Sequence, residues 1–391
     1  MAERVASAGY VAVKKQASSS VAVTPNVYVP YYEQSMVTDI HLIEDTPVFG
    51  SKFRTLQLLQ GHRSHRGSLT VMAEPNTAGY LLDMLLTKGT TTGAGPYTHP
   101  FELSATTDPN YYTLDISFVS HVVRFWGVGI SKLTPGFESD EMRFNIDVSA
   151  LGSFYGREIS SVSGSGPYTL TLKTDYDASP TTGLVVGDLI QVYDVSTNTY
   201  ISCVVDALTA TTIEVSEDVS AAASGDMLML RPATPSLTLK TPFLWNRTEF
   251  RFAGTAADAL TATQTRLDEG TEISIQHLFD NDDGSNRSGA FDPASLIRTV
   301  GDYTFKIKKF LDTPEEIKYW NALTKRACVM RAFSETGYEF RVTMNHIKAK
   351  TNDTPTESEG VIYHEIDYGA SYDTSDAKGM VVTVINNVAT I

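Results

Sequence analysis

The chain has 391 residues, 42% of them hydrophobic, and a formal net charge of −15. That length exceeds one ordinary domain and predicts two or three, while no stretch approaches the ~18 uninterrupted apolar residues of a membrane helix. The acidic balance argues against ordinary duplex binding, which is built from Lys and Arg neutralising phosphates, and the only cysteines, Cys203 and Cys328, exclude a disulfide framework and fit assembly in a reducing cytoplasm.

In chain order, residues 1–30 are small and polar, with Ser18-Ser19-Ser20 and prolines at Pro25 and Pro30, and read as an extended arm. Charges at Glu3, Arg4, Lys14 and Lys15, with no apolar run between them, argue against a secretory signal. Residues 31–66 contain two turn clusters, Asp45-Thr46-Pro47 and Phe49-Gly50-Ser51. Gly61-His62-Arg63-Ser64-His65-Arg66-Gly67 follows as a compact basic loop in an acidic protein. Its plain reading is a solvated turn. Its functional reading is a contact for an acidic surface on a neighbouring subunit, carried by Arg63, His65 and Arg66.

From Gly67 to Lys88 the pattern is strand, break, helix. Leu69, Val71 and Ala73 recur at a period of two, a cap is expected at Asn76 or Thr77, and Leu81, Leu82 and Leu85 form a stripe. The same order returns at Thr304–Lys325. Tyr303, Phe305 and Ile307 alternate with Thr304, Lys306 and Lys308; Thr313-Pro314-Glu315-Glu316 is a capping box; Ile317, Trp320 and Leu323 follow at helical spacing. After the first unit, strands are predicted at His99–Ser104, Tyr111–Phe118, Val122–Ile130 and Glu141–Val148. In the last of these Met142, Phe144, Ile146 and Val148 share one face, and Glu141, Arg143, Asn145 and Asp147 the other. Val361–Tyr368 repeats the arrangement, with Ile362, His364, Ile366 and Tyr368 against Val361, Tyr363, Glu365 and Asp367. This order of elements predicts an internal duplication of a β-rich unit with one helix, spanning 31–157 and 236–391.

Residues 158–235 differ in composition, being rich in Ser, Thr, Ala, Gly and Val. Short strands are predicted at Tyr168–Lys173, Asp188–Tyr193, Tyr200–Val205, Thr212–Val215 and Met227–Leu230, with no helix. The segment reads as a small inserted all-β domain, acidic at Asp175, Asp177, Asp188, Asp194, Asp206, Glu214, Glu217, Asp218 and Asp226. Such acids ordinarily solvate a surface, and an insertion between intact halves is expected to project outward. Leu237–Ala253 then opens the second half with alternating strands, and Met380–Val384 closes it.

Motifs of chemistry are missing. There is no GxxxxGK[ST], no GxSxG, no HExxH and no CxxC. His62 and His65 lie beside Arg63 and Arg66, a poor setting for a cation. Asp280-Asn281-Asp282-Asp283-Gly284 puts glycine one position early for an EF-hand and lacks the closing Glu. The expectation is no catalytic residue, no metal and no cofactor. Two classes remain: a structural, self-assembling protein built from a duplicated β unit, and a β-modular carbohydrate-binding or carbohydrate-active surface protein.

A resemblance favours the first. Gly61-His62-Arg63-Ser64, Gly67-Ser68-Leu69-Thr70-Val71, Glu74-Pro75, Gly79-Tyr80-Leu81-Leu82, His99-Pro100-Phe101, Tyr111-Tyr112-Thr113-Leu114, Thr241-Pro242-Phe243-Leu244-Trp245 and Val382-Thr383-Val384-Ile385-Asn386 occur in an order that resembles the tail tube proteins of long-tailed, non-contractile bacteriophages (siphoviruses). The block 158–235 departs from that pattern. The resemblance implies a duplicated β-sandwich or barrel unit, rings stacked into a virion tail tube, and assembly in the host cytoplasm. Three chains would give a pseudo-sixfold ring, with a hexamer as the alternative, and the tape measure, tail terminator and distal tail proteins would be partners. The N-terminal arm and residues 40–67 would bridge rings. DNA would pass through the lumen without specific binding during genome ejection. Duplex DNA carries about one charge per 1.7 Å of axis, so an acidic lining keeps it sliding. Glu141, Asp147, Glu365 and Asp367, alternating with apolar faces in equivalent strands, are the candidate lumen-facing acids.

Overall fold

The computed structural model describes residues 9–45, 57–104, 107–174, 177–235, 239–267, 271–280, 291–310, 315–353, 363–374 and 378–391. The protein is mainly β, 52% strand, with three short helices among the described residues. The strand pairs are antiparallel. The sheet does not close into a barrel.

The chain begins with β1 (Val11–Lys15), β2 (Val27–Val29), β3 (Tyr31–Gln34), β4 (Val37–Asp45) and β5 (Gln57–Met72). The basic stretch predicted as a loop is thus the middle of a sixteen-residue strand. Glycine, histidine and arginine are weak strand formers, but here β4 supplies the ladder along one side, and β10 joins on the other from His65 onward. Of the two turn clusters only Asp45 lies within the described residues. The helix α1 (Pro75–Leu85) starts earlier than expected. Pro75 presets the first helical φ, and the Glu74 carboxylate caps the end by accepting from the Asn76 and Thr77 N–H groups at 3.1 and 3.0 Å. Leu81, Leu82 and Leu85 are buried as the spacing predicts. The outer side of α1 is covered too, because Ile391 packs where a Cβ on Gly79 would lie.

There follow β6 (Thr87–Lys88), β7 (Tyr97–Glu102), β8 (Tyr112–Ser117), β9 (Val122–Glu138) and β10 (Glu141–Ala150). Strand β9 runs past its predicted end at Ile130. Its first part pairs with β8 and its second with β10. The pairing order here is β1–β8–β9–β10–β5, with α1 between β5 and β8 in the chain.

The next strands are β11 (Gly152–Phe154), β12 (Arg157–Ser163), β13 (Tyr168–Leu172), β14 (Leu189–Asp194), β15 (Thr199–Val204), β16 (Ala207–Leu208), β17 (Thr212–Val215) and β18 (Met227–Leu230). They surround a second apolar cluster of Ile159, Leu170, Ile190, Val192, Ile213 and Leu228. That cluster also takes in Tyr10, Ala12, Val122 and Trp126 from the body, so the segment does not simply project. Buried Arg124 on β9 donates to Asp115 on β8 and to Asp188. Asp188, Asp194 and Asp226 are buried and not solvating. Asp194 accepts from the Ser196 and Thr197 N–H groups, and Asp226 from those of Val195 and Ala223. These carboxylates tie turns together.

The second half holds β19 (Thr248–Ala253), α2 (Ala256–Ala259), β20 (Gln264–Thr265), β21 (Glu272–Gln276), β22 (Asp302–Phe310), α3 (Glu315–Asn321), β23 (Arg326–Phe333), β24 (Glu339–Ala349), β25 (Tyr363–Ala370) and β26 (Met380–Asn386). Strand structure starts at Thr248, after a 3-10 turn at Trp245–Arg247. The pairing order is β19–β23–β24–β25–β22, with α3 between β22 and β23. Leu69 faces Ile146 in the first half, and Ile307 faces Ile366 in the second. Thr313 and Pro314 of the predicted capping box, Val361 and Ile362 of the predicted strand, and Asn281 to Gly284 of the tested loop lie outside the described residues.

The stripe on α3 behaves differently from that on α1. Ile317 and Trp320 on the helix, and Leu323 in the turn after it, are 38%, 37% and 61% exposed. The residue α3 buries is Glu316, which meets Lys309 at 3.2 Å, Arg326 at 2.8 Å and the Tyr368 hydroxyl at 3.0 Å. Helical spacing locates an apolar stripe but does not supply the surface that covers it.

Among the described residues the halves join by strand pairing at two places: β26 pairs with β7, Val381 opposite Glu102 through Asn386 opposite Tyr97, and β21 pairs with β9, Ile275 opposite Leu133 and Gln276 opposite Lys132. Arg298 stitches the second of these seams: Nη1 donates to the Ile130 and His277 carbonyls and Nη2 to that of Met84 at 2.6 Å. Burial pushes its guanidinium down to about 10.

Candidate functional site

Residues directly opposite each other in an antiparallel pair point to the same face. That rule lets the four candidate acids be followed across the sheet. Asp147 on β10 lies opposite Ser68 on β5 and Lys132 on β9; Lys132 lies opposite Gln276 on β21. Ser274 lies opposite Thr304, and Lys306 and Lys308 lie opposite Asp367 and Glu365. Asp147 and Asp367 therefore share one face of one sheet that runs β4–β5–β10–β9–β21–β22–β25–β24. Glu141 and Glu365 fall on that face by the period of two. Both Asp147 and Asp367 are exposed; Glu141 and Glu365 are half-buried.

Beneath the face lies the apolar core, with Phe144, Ile146, Leu133, Ile275, Phe305, Ile307 and Ile366 all buried. The alternation in β10 and β25 is what divides water from core.

The face is mixed in sign. Lys306 sits 3.7 Å from Glu365, and Arg143 pairs with Glu138. Glu141 accepts from the Tyr32 hydroxyl at 3.0 Å, while the Arg143 guanidinium stacks over the Tyr32 ring at 3.7 Å. Burial, followed by the bond to Glu141, pushes the Tyr32 phenol above its ordinary value. The acidic members are thus interleaved with Lys132, Arg143 and Lys306, cations that share their face. The signal was present in the alternation itself, since Arg143 and Lys306 occupy the same polar positions as the acids.

The three candidate contact residues divide. His65 is buried, with Nδ1 bonded to Thr38 Oγ1 at 2.9 Å and Nε2 to Asp292 Oδ1 at 3.1 Å, so it is not a surface contact. Arg63 lies near Asp292 and over the Phe291 ring, 5.5 Å from its centroid. Arg66 is exposed. Beyond them, β4 and the outer part of β5 form a two-stranded ribbon. On it Val37, Ile40, Leu42, Ile43 and Leu59 are between 45% and 53% exposed. A lone two-stranded ribbon is marginal in water, and this one carries apolar side chains into it.

Among the described residues no group of three or more His, Cys, Asp or Glu side chains is arranged to hold a metal ion. Both cysteines are buried, and burial pushes the Cys203 thiol up to about 12. The arrangement offers an extended polar wall and an apolar ribbon at its edge. No protein-family model matches the chain, and the comparison with curated proteins finds no match either.

Proposed function

We propose that the protein is structural and self-assembling. Its copies form rings that stack into a hollow tube of the bacteriophage tail type, with the polar face of the shared sheet lining a conduit for DNA. One observation carries this reading: a single sheet runs through both halves, presents a shared polar face from β5 to β25 and leaves an open edge at β4. Open edges and a half-exposed apolar ribbon are liabilities in a monomer. Both disappear when neighbouring copies complete the sheet. The matching pairing orders of the halves support a duplicated unit, and hence a trimer with pseudo-sixfold symmetry. Residues 158–235 form an added all-β unit fastened to the first half. The mixed sign of the lining suits a conduit. Alternating charges give a field that decays within a few ångströms, so passing phosphates meet neither a trap nor a strong barrier.

Electron microscopy of the purified chain tests the assembly, with rings or tubes of trimeric end view expected. A chain that stays monomeric at every concentration overturns the reading. In assembled particles, Asp147→Lys with Asp367→Lys would leave rings intact and slow DNA ejection, because the added cations neutralise phosphates. Unchanged ejection would remove the face from the lumen.

A further inference from the structure

We infer that Tyr155 and Trp320 are stoppers, side chains that hold back assembly until they move. Each occupies, within its own chain, a backbone group on a strand edge that the next copy of this chain takes when copies join. The inference rests on the self-assembly reading above, and the internal repeat identifies the edges.

The β21–β9 seam inside the chain is the template. There Ile275 lies opposite Leu133 and Gln276 opposite Lys132, and the His277 N–H donates to the Ser131 carbonyl at 2.8 Å. Alternate residues of an antiparallel strand turn their N–H groups the same way, so the Ile275 N–H faces β9 as well. The repeat maps each side of this seam onto the other half. Ile275 lies opposite Tyr303 and Thr38 opposite His65; Tyr303 and His65 each stand four residues before the equivalent Ile307 and Leu69. Thr38 is thus the counterpart of Ile275. On the other side, Val148 opposite Ile130 and Asn145 opposite Thr134 correspond to Tyr368 opposite Ala349 and Glu365 bridged to Asp353, with the same extra residue in between. Ser131 therefore corresponds to Lys350, Lys132 to Thr351 and Leu133 to Asn352. Strand β23 stops pairing with β24 at Arg326 opposite Ile347, so residues 350–353 lie past its end.

Both counterpart groups are engaged in the single chain, each by an exposed aromatic side chain. The Thr38 N–H donates to the Tyr155 hydroxyl at 3.1 Å, and the Lys350 carbonyl accepts from the Trp320 indole at 3.4 Å. Tyr155 and Trp320 are 41% and 37% exposed, so each has room to swing aside. A strand edge whose backbone groups are covered does not template another strand. In the joined state Thr38 lies opposite Asn352 of the next copy and Asp39 opposite Thr351, the Ile40 N–H takes the Lys350 carbonyl, and both stoppers are displaced.

The test uses the full chain carrying Tyr155→Phe and Trp320→Phe, which keep an aromatic ring and remove the two bonds. Each substitution should lower the concentration for half-assembly by about threefold to tenfold, since one hydrogen bond no longer has to be broken first. A side chain that merely supports the fold would lower the melting temperature of the single chain and leave that concentration unchanged or raise it. A second measurement reads the edges themselves. Asp39→Cys with Thr351→Cys places two thiols on a non-hydrogen-bonded pair, Cα atoms about 4.5 Å apart, within disulfide reach. The native Cys203 and Cys328 are buried. Mild oxidation of the assembled double variant should give covalent multimers, and neither single variant should. A half-assembly concentration that stays the same or rises when both stoppers are replaced, or the absence of multimers from assembled double-cysteine chains, overturns this inference and leaves the self-assembly reading standing. A chain that assembles neither as wild type nor with both stoppers replaced overturns both.

Discussion

Replacing Arg124 with methionine asks how the 158–235 unit is held. The Arg124 side chain is 2% exposed, with Asp188 at 1% and Asp115 at 10%. Its Nε and Nη2 reach the two Asp115 oxygens at 2.8 and 2.9 Å, and Nη1 reaches Asp188 Oδ2 at 2.5 Å. Methionine keeps most of the stem volume and removes the charge and every donor. Two buried carboxylates then face each other without a cation. Deleting one partner of a buried ion pair costs about 3–5 kcal/mol. The cost has a definite pH dependence. Burial already pushes the Asp115 carboxyl above its ordinary value, with Arg124 holding it down and Asp188 adding to the rise. Without Arg124 it rises further. The folded variant then keeps a proton that the unfolded chain has released. Stability therefore falls as pH rises through that window, by about 1.4 kcal/mol per pH unit for one proton. Native-state hydrogen exchange of β14 and β18 amides, compared between about pH 5 and about pH 8, reads the local effect while β10 serves as the internal control. A loss of about 1 kcal/mol or less, equal at both pH values, would refute the account of Arg124 as a buried clasp.

Glu316→Gln should cost about 3–5 kcal/mol at neutral pH, since it leaves Lys309 and Arg326 without their carboxylate. Burial raises the Glu316 carboxyl, but Arg326 and Lys309 outweigh it and hold the group below its ordinary value. Its stabilisation is therefore present above the unfolded value and lost as pH falls through the folded one. Thermal melts across the acid range should show a shallower decline in the variant than in the wild type. Gly79→Ala would stabilise a solvent-exposed helix by about 1 kcal/mol. Here the new Cβ lands on Ile391, so the expected result is a lower melting temperature, recovered by adding Ile391→Ala. A rise from Gly79→Ala alone would show that Ile391 is not seated there.

What could be read in advance depended on whether a local pattern implied its own partner. Glu141 to Val148 was legible because a period of two divides water from core without further information. The α1 stripe was legible for the same reason at a period of 3.6. The α3 stripe has the same spacing, yet burial is a property of two surfaces and the second is not in the local sequence. The run Gly61 to Gly67 reads as a compact basic loop, and nothing within it names the strand that pairs with it. Its conformation is imposed by β4 and β10, far away in the chain in one case. Asp188, Asp194 and Asp226 looked like surface acids because a turn-tying carboxylate and a solvated one are the same letter. The shared face, which joins Asp147 to Asp367, depends on the contact of β21 with β9, and no pattern in either strand announces it.

That contact has a consequence for how any assembly of this chain comes apart. The seam between Leu133 and Ile275, reinforced by Arg298, forms once, when the chain folds. It is an intramolecular event, so it does not depend on the concentration of chains. Seams between chains have no such advantage and weaken on dilution. Dilution should therefore release intact two-unit bodies and never single units, and the concentration at which this occurs measures the interchain seam alone.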